Sequence, residues 1–260
     1  MPAFKSAKAY RQFAQQVTLS NRYVHDSEAS EFLATLGREA PAKSESIPRG
    51  SIFWRAQVGH DLEPLMEGDR HLDDIPSPLS SERMKPLRGR AREGRANPKG
   101  IPYLYVSTHR DTAMAEVRPW VGALVSVAQF KIVRDLRVVN ITERPPYGHI
   151  YLWTVPPEKW DETVWGDIDF AFSRPVTPSD DDAEYVPTQI ITERFKAGGF
   201  DGLAYRSSVG QGHNLVLFDL DVAILVNCSL FELKGLTFDF QECANRYYVP
   251  ESGERDWKAG

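Results

Sequence analysis

Short strand-like segments recur along this chain, and helical segments separate them at irregular intervals. In residues 51–57, SIFWRAQ, the side chains alternate between an apolar and a mixed face, which is the period of a β-strand. A doubly wound parallel sheet requires a strict alternation of strands and helices, and no such alternation occurs here. The sequence therefore predicts an α+β fold.

The predicted strands are short and lie next to turn-forming residues. They are SIFWRAQ from Ser51, YLYVS at 103–107, ALVSVAQF at 123–130, LRVVN at 136–140, DGLAYRSS at 201–208 and HNLVLFD at 213–219. Helices are predicted over residues 7–17 and 32–36, over 108–119 with Thr108 as cap and Pro119 as stop, and over 188–199 after Pro187. A long loop is predicted over residues 76–102, which are rich in Pro, Arg and Gly.

The overall charge disfavours binding of nucleic acid by bulk attraction, because 31 basic residues face 36 acidic ones, for a net charge of −5. Local charge differs. Residues 81–99 contain seven basic and two acidic residues, so this segment is suited to attract phosphates. Residues 160–185 contain eight acidic residues and one arginine, which predicts a solvated loop.

Compartment and membrane association follow from what the chain lacks. The longest apolar run has five residues, 222–226, which is too short to cross a bilayer. The N-terminus, MPAFKSAKAYRQFAQQ, lacks the apolar stretch of a secretory signal. Cys228 and Cys243 are too few for a disulfide framework or a four-thiolate metal site, although one bridge between them is compatible with the sequence. We therefore expect a cytoplasmic protein.

Several well-known catalytic motifs are absent. The chain has no C-x-x-C, H-E-x-x-H, P-loop or G-x-S-x-G sequence. The nearest approach to a dinucleotide fingerprint begins at Gly210 and Gly212, but it lacks the third glycine and joins two predicted strands where a helix is required. The absence of these motifs excludes a metal site, a catalytic dithiol and a Rossmann-type dinucleotide site from the predictions.

Polar residues in apolar surroundings are the remaining candidates for chemistry. Arg55 interrupts an apolar strand and needs an anionic or carbonyl partner, either an internal ion pair or a bound phosphate. Glu116 ends a predicted helix, where a negative charge is disfavoured, so a partner such as Arg118 or Arg55 is expected. Taken alone, Tyr105 is expected to be a core residue and Ser207 a turn residue.

The ordered combination of these segments resembles the RES family, which is named after an Arg, a Glu and a Ser. The resemblance rests on GSIFWRAQ, then GRANPKGIPYLYVSTHRDTAMAEVRP, then GFDGLAYRSSVGQGHNLVLFD, and covers approximately residues 47–219. It implies an ADP-ribosyltransferase-like fold with a mixed or split β-sheet core and flanking helices. It also implies an N-terminal helical extension over residues 1–46 and a RES domain, with a C-terminal extension, over residues 47–260.

The family's motif residues transfer onto this chain by resemblance. The arginine falls on Arg55, the glutamate on Glu116 and the serine on Ser207, with the adjacent Ser208 as the alternative. The tyrosine of the family's LY element falls on Tyr105.

Two further residues are expected to bind the substrate. Arg95 matches an arginine that is commonly followed by Trp, whereas Ala96 follows it here, and we expect Arg95 to close over a pyrophosphate. Asn214 is expected to bind the substrate amide or to support Ser207.

The resemblance further implies an enzyme that consumes NAD by breaking the nicotinamide–ribose bond, as the toxin of a toxin–antitoxin pair. NAD is then a substrate, and no cofactor or metal is expected. Phosphorolysis is the expected reaction, with hydrolysis and protein ADP-ribosylation as alternatives. The expected partners are NAD, inorganic phosphate and a separately encoded Xre-type antitoxin, with neither membrane nor nucleic acid. An alternative of another class is a non-catalytic module whose basic loop binds nucleic acid or a protein.

Overall fold

The computed structural model describes residues 2–142, 155–174, 182–237 and 239–243. The helices of this part are α1 (Ala9–Leu19), α2 (Ser27–Glu39), α3 (Arg110–Glu116), α4 (Trp160–Ser173) and α5 (Val186–Ala197). The strands are β1 (Ser44–Ile47), β2 (Ile52–Val58), β3 (Asp61–Glu67), β4 (Arg70–Ser77), β5 (Leu104–Ser107), β6 (Leu124–Ile132), β7 (Leu136–Asn140), β8 (Gly202–Arg206), β9 (His213–Leu217) and β10 (Ala223–Glu232). The predicted α+β class is confirmed.

Eight strands form one mixed sheet in the order β1-β7-β8-β9-β5-β2-β6-β10. The pairing of β7 with β8 is parallel, and every other neighbouring pair in this sheet is antiparallel. Strands β3 and β4 form a separate antiparallel hairpin. The order brings β2, β5 and β9 side by side although they lie far apart in sequence, and these three strands carry most of the site described below.

The large sheet is split between β2 and β5. These two strands share a single residue pair, Trp54 with Ser107. In contrast, β2 pairs with β6 through seven residues, and β5 pairs with β9 through four. Two half-sheets therefore diverge on either side of one shared pair, and the gap between them has room for side chains rather than for backbone hydrogen bonds.

One hydrophobic cluster joins the N-terminal helices to α4 and α5, which lie between β7 and β8 in the chain. The ring of Phe32 on α2 lies 5.7 Å from that of Phe4, 6.5 Å from Tyr10 and 4.6 Å from Phe13, measured between centroids. Phe4 in turn lies 6.4 Å from Trp165 of α4. Helices α1 and α2 therefore share a core with α4, and the boundary at residue 46 remains a prediction.

A second cluster lies on the other side of the sheet and includes part of the predicted long loop. Residues 78–102 contain no helix or strand, in agreement with the sequence prediction. Leu79 and Met84 of this loop are nevertheless buried against Phe53 and Phe130. The loop is thereby fixed to the sheet at its beginning, while Arg83, Arg88, Arg90 and Arg92 are exposed.

The acidic segment 160–185 was predicted to be a solvated loop, and that prediction is wrong for its first half. Residues Trp160–Ser173 form α4, in which Asp169 is fully buried. Val164, Ile168 and Phe172 are spaced by four residues and form an apolar helix face. A count of charges conceals this periodicity, because two acids of the helix, Asp167 and Asp169, are themselves buried.

The predicted cap of α3 is also wrong. His109 is the N-cap residue, and no side chain caps the helix. The Thr108 hydroxyl instead donates to the main-chain oxygen of His213 at 3.2 Å and accepts from its N–H at 3.1 Å. A local capping signal yields here to a contact with β9, since the hydroxyl is already used there.

Four strands, β1, β3, β4 and β10, were not predicted from the sequence. Strand β1 lies in a polar stretch before residue 51, β3 and β4 are rich in charged residues, and β10 contains most of the apolar run 222–226. Within the described residues, no helix is long and apolar enough to span a membrane. Cys228 and Cys243 are both free thiols, so the bridge that the sequence allowed is not formed.

Replacing Phe32 by Ala should lower the free energy of unfolding by about 3–5 kcal/mol, because a buried ring is removed from the shared core. Chemical denaturation, followed by far-UV circular dichroism and tryptophan fluorescence, should show one coincident transition. Leu19→Ala is the matched control, since the Leu19 side chain on α1 is 74% exposed. A separate, weaker transition for the N-terminal helices would contradict the shared core.

Candidate functional site

A cavity of about 350 Å³ opens where β2 and β5 diverge. This volume is at the lower end of the range of about 300–1,000 Å³ typical of small-molecule sites. Five of the six predicted site residues line it: Arg55, Arg95, Tyr105, Glu116 and Asn214. The sixth, Ser207, is hydrogen-bonded to Glu116. The structure thus brings together all six residues, which lie on three strands, one helix and two loops.

Arg55 is the cation of this first cavity, and its side chain is half-buried. Its Nη1 donates to the main-chain oxygen of Tyr105 at 3.0 Å, across the split. Its Nε is buried and has no hydrogen-bond partner in the described part of the chain. No carboxylate of the described residues forms an ion pair with it, so the predicted internal ion pair is wrong. Burial lowers the pKa of the guanidinium, which reflects the cost of keeping this charge away from water.

Glu116 is held by two hydrogen bonds to the same oxygen. Its Oε1 accepts from the Ser207 hydroxyl at 2.8 Å and from the Asn214 amide at 2.6 Å. The helix dipole disfavours a carboxylate at a helix C-terminus, and these two hydrogen bonds offset that effect. Its Oε2 accepts no hydrogen bond from the described residues and is available to a ligand.

Ser107 fixes the orientation of the Asn214 amide. A carboxylate can only accept, so the Asn214 NH₂ group must face Glu116 and its oxygen must face away. The Ser107 hydroxyl donates to that oxygen at 2.5 Å, and both side chains are buried. Sequence reasoning missed Ser107. The strand register would have identified Ser107, because Ser107 and Asn214 are direct partners on β5 and β9.

Tyr105 holds the loop that carries Arg95. Its hydroxyl donates to Asn97 Oδ1 at 2.8 Å and accepts from the Ala96 N–H at 3.0 Å. Burial raises the pKa of Tyr105 well above its usual value, so the phenol remains protonated. Since the hydroxyl is occupied by the loop, the ring is the part of Tyr105 that a ligand can contact.

Arg95 connects the same loop to α4. Its Nη1 donates to the main-chain oxygen of Ala171 at 2.7 Å, and its Nη2 donates to that of Arg174 at 2.5 Å. Its guanidinium also lies 5.5 Å from the centroid of the Tyr185 ring. Arg95 therefore lines the cavity from an anchored position. Ala96, where related sequences commonly have Trp, is fully buried and does not line the cavity.

Asp169 and Arg206 fix the end of β8 just before Ser207. Asp169 is fully buried; its Oδ1 accepts from the Arg206 N–H at 3.1 Å, and its Oδ2 accepts from the Arg206 guanidinium. Ser207 thereby points its hydroxyl at Glu116, whereas Ser208 is exposed. The geometry favours Ser207 over Ser208. Asp169 was missed because it lies in the segment predicted to be a solvated loop.

The fold and the cavity define an α+β domain with a cleft at the split of its sheet. Within the described residues, no group of three or more His, Cys, Asp or Glu side chains is placed to bind a metal. The model of the RES domain family matches residues 71–232, which is more than half of the chain. The chain belongs to the RES domain family, whose toxins act on NAD. The family resemblance is thereby confirmed; the match includes Glu116 and Ser207, while Arg55 precedes it.

Comparison with solved structures gives a distant similarity. The crystal structure of the M. tuberculosis MbcT–MbcA toxin–antitoxin complex contains a chain that is 15% identical to this one. The alignment covers 76% of this chain and 96% of that chain, with a TM-score of 0.43. No curated protein matches this chain.

Replacing Asp169 by Asn should destabilise the fold by about 3 kcal/mol, because it leaves the Arg206 guanidinium without its buried counter-charge. The Asp169 side chain is 0% exposed and that of Arg206 is 24% exposed. Asp221→Asn is the matched control, since its ion pair with Arg88 lies at the surface and contributes at most about 1 kcal/mol. Urea denaturation that gives equal midpoints for the two variants would refute the structural role of Asp169.

Proposed function

We propose that this protein is a toxin-like enzyme that consumes NAD by breaking the nicotinamide–ribose bond, with inorganic phosphate as the acceptor. The observation that carries the proposal is the pairing of a buried, incompletely bonded guanidinium, Arg55, with a carboxylate, Glu116, that has one oxygen available. Such a site is suited to a ligand that is anionic at one end and develops positive charge at the other.

Arg55 binds a phosphate of NAD in this proposal. A buried charge without a counter-ion costs the folded state several kcal/mol, and an anionic ligand offsets this cost when it binds. A guanidinium presents its N–H groups in a planar fork that matches two phosphate oxygens. With Nη1 on the main-chain oxygen of Tyr105, the fork is oriented by the protein at the wall of the first cavity.

Glu116 stabilises the positive charge that develops on the ribose. Cleavage of a glycosidic bond passes through an oxocarbenium-like state, and a nearby carboxylate lowers its energy. In a site from which water is excluded, this effect is worth several kcal/mol. Because Ser207 and Asn214 both bind Oε1, the Oε2 atom remains for the ribose. The Tyr105 ring contacts the nicotinamide or the ribose.

The reaction balances without a redox partner. The bond between the ribose anomeric carbon and the nicotinamide nitrogen breaks, and both electrons stay on the nitrogen. The cationic pyridinium thus leaves as neutral nicotinamide. An oxygen of hydrogen phosphate supplies the electron pair of the new bond, which gives ADP-ribose phosphorylated at the anomeric carbon. If water or a protein side chain supplies that pair, the same site acts as a glycohydrolase or an ADP-ribosyltransferase.

We further propose that the protein acts in the cytoplasm, where it meets its substrate, and that a separately encoded Xre-type antitoxin inhibits it. Membership of a family that includes toxins supports this part of the proposal. A partner that covers the first cavity would keep NAD away from Arg55 and Glu116.

Replacing Glu116 by Gln should lower the rate constant of nicotinamide release by about 10²–10³, because a charge complementary to the transition state is lost. Purified protein, freed of any inhibitor, is incubated with NAD with and without phosphate. Glu232→Gln, the same change at the exposed end of β10, is the matched control. Release that requires phosphate identifies a phosphorylase, release in either buffer a glycohydrolase, and label transferred to protein a transferase. Full activity of Glu116→Gln would refute the role of this carboxylate.

Replacing Arg55 by Met should move stability and activity in opposite directions. The free energy of unfolding should rise by about 1 kcal/mol or more, because a buried charge is exchanged for an apolar chain of similar size. The ratio kcat/KM for NAD should fall by about 10-fold to 100-fold, which corresponds to the loss of one charged hydrogen bond. Denaturation and nicotinamide release measure the two effects. A variant that is both less stable and fully active would show that Arg55 serves the fold.

A further inference from the structure

A second cavity, of about 540 Å³, lies beside the first. Trp54 on β2 lines both cavities, so its side chain forms part of the wall between them. Helix α3 also runs along both, because Thr112 in its first half lines the second cavity and Glu116, its last residue, lines the first. A ligand that is too long for the first cavity can therefore extend past Trp54 into the second.

One wall of the second cavity is fixed by tight packing. It is formed by the loop between β8 and β9, which contributes Val209, Gly210 and Gln211. A Cβ atom at Gly210 would collide with Thr112, so the glycine allows this loop to lie directly on α3. The main-chain oxygen of Gln211 accepts a hydrogen bond from the Thr112 hydroxyl at 2.7 Å. The glycine motif that does not fit a Rossmann fingerprint thus builds a preformed wall here.

The charges that line the second cavity compensate each other. The Nε of Arg110 donates to Asp111 Oδ1 at 3.0 Å, and the guanidinium lies 5.4 Å from the centroid of the Phe231 ring. With His109 neutral, the lining side chains carry no net charge. The first cavity differs, because no carboxylate of the described residues forms an ion pair with Arg55. An uncharged group therefore suits the second cavity and an anionic group suits the first.

Trp54 offers an aromatic surface at the junction of the two cavities. The residue is half-buried, and no aromatic ring or cation of the described residues is stacked on it. Trp165 differs, since its ring is stacked on that of Phe195 at 6.4 Å between centroids. Aromatic side chains of this kind bind nucleobases by stacking, because every base has a π-face. The junction is therefore suited to a flat, uncharged heteroaromatic ring.

We propose that the second cavity is the adenine subsite for NAD and that Trp54 stacks on the base. This inference rests on the proposed function. NAD consists of two nucleotides, and a cavity at the lower end of the usual volume range holds only the nicotinamide riboside, at Glu116. Arg55, which follows Trp54 on β2, binds the pyrophosphate, and the adenosine continues past Trp54. Adenine is uncharged at neutral pH, which matches the lining of the second cavity.

The experiment compares two substrates that share the scissile bond. Nicotinamide mononucleotide contains the same nicotinamide–ribose bond as NAD but lacks the adenosine half. The wild type should have a higher kcat/KM for NAD than for nicotinamide mononucleotide. In Trp54→Leu, the ratio of these two kcat/KM values should fall about 10-fold, the equivalent of ~1.4 kcal/mol, because one base stack is lost.

The matched control is Trp120→Leu, since Trp120 is 65% exposed and lines neither cavity. This variant should keep the ratio of the wild type. Trp54→Phe should restore most of the ratio, because it keeps an aromatic face. A purely structural role of Trp54 would lower kcat/KM for both substrates by the same factor and leave the ratio unchanged.

A second readout does not depend on turnover. Adenosine monophosphate should raise the melting temperature of the wild type more than ribose 5-phosphate does at the same concentration. A ligand that binds the native state stabilises it, and only the first of these two probes carries a base. The difference between the probes should be lost in Trp54→Leu and kept in Trp120→Leu.

The outcomes separate this inference from the proposed function. Equal kcat/KM values of the wild type for the two substrates would overturn the adenine subsite and leave NAD cleavage in place. The same ratio in Trp54→Leu and Trp120→Leu would also overturn it. Stabilisation by adenosine monophosphate that depends on Trp54, without cleavage of either substrate, would overturn the proposed function and support the subsite. Neither cleavage nor a difference between the two probes would overturn both.

Discussion

The single residue pair between β2 and β5 is the constraint on which the site depends. If these strands paired along their full length, backbone hydrogen bonds would fill the space that the first cavity occupies. Because they pair only at Trp54 and Ser107, the next residue on β2, Arg55, reaches across the gap to the main-chain oxygen of Tyr105. The one residue pair thus joins the two half-sheets and positions a cation between them, and the hydrogen bond of that cation to Tyr105 crosses the gap as well.

The polar groups around this gap form a hydrogen-bond network in which each side chain orients or bonds the next one. Ser107 orients Asn214, and Asn214 donates to Glu116. Asp169 fixes Arg206 through a buried ion pair, and the residue that follows Arg206 is the second donor to Glu116. Buried networks of this kind stabilise a unique arrangement only when every member is bonded. The Nε of Arg55 is the exception around this gap, because it is buried without a hydrogen-bond partner among the described residues.

Local patterns predicted the order of the elements, and the family resemblance predicted which residues meet. Periodicity was sufficient for β5, β6, β8 and β9, since each is short, apolar and followed by a turn. It failed for α4, because acidic residues conceal its apolar face. It also failed for the partner of Arg55, because a sequence shows that a buried guanidinium needs an anion but not which carboxylates lie within reach. Ser107 was missed for the same reason, because its role depends on Asn214, which is distant in sequence. Asp169 was missed because the helix that carries it was not predicted.

The charges along the first cavity match the two ends of the proposed reactant. Arg55 is the cation of this cavity and Glu116 is its carboxylate. NAD presents the complementary pair, since its pyrophosphate is anionic and its ribose becomes cationic as the nicotinamide leaves. The proposed cleavage needs both charges at once, because the cation holds one end of the dinucleotide while the carboxylate stabilises the other.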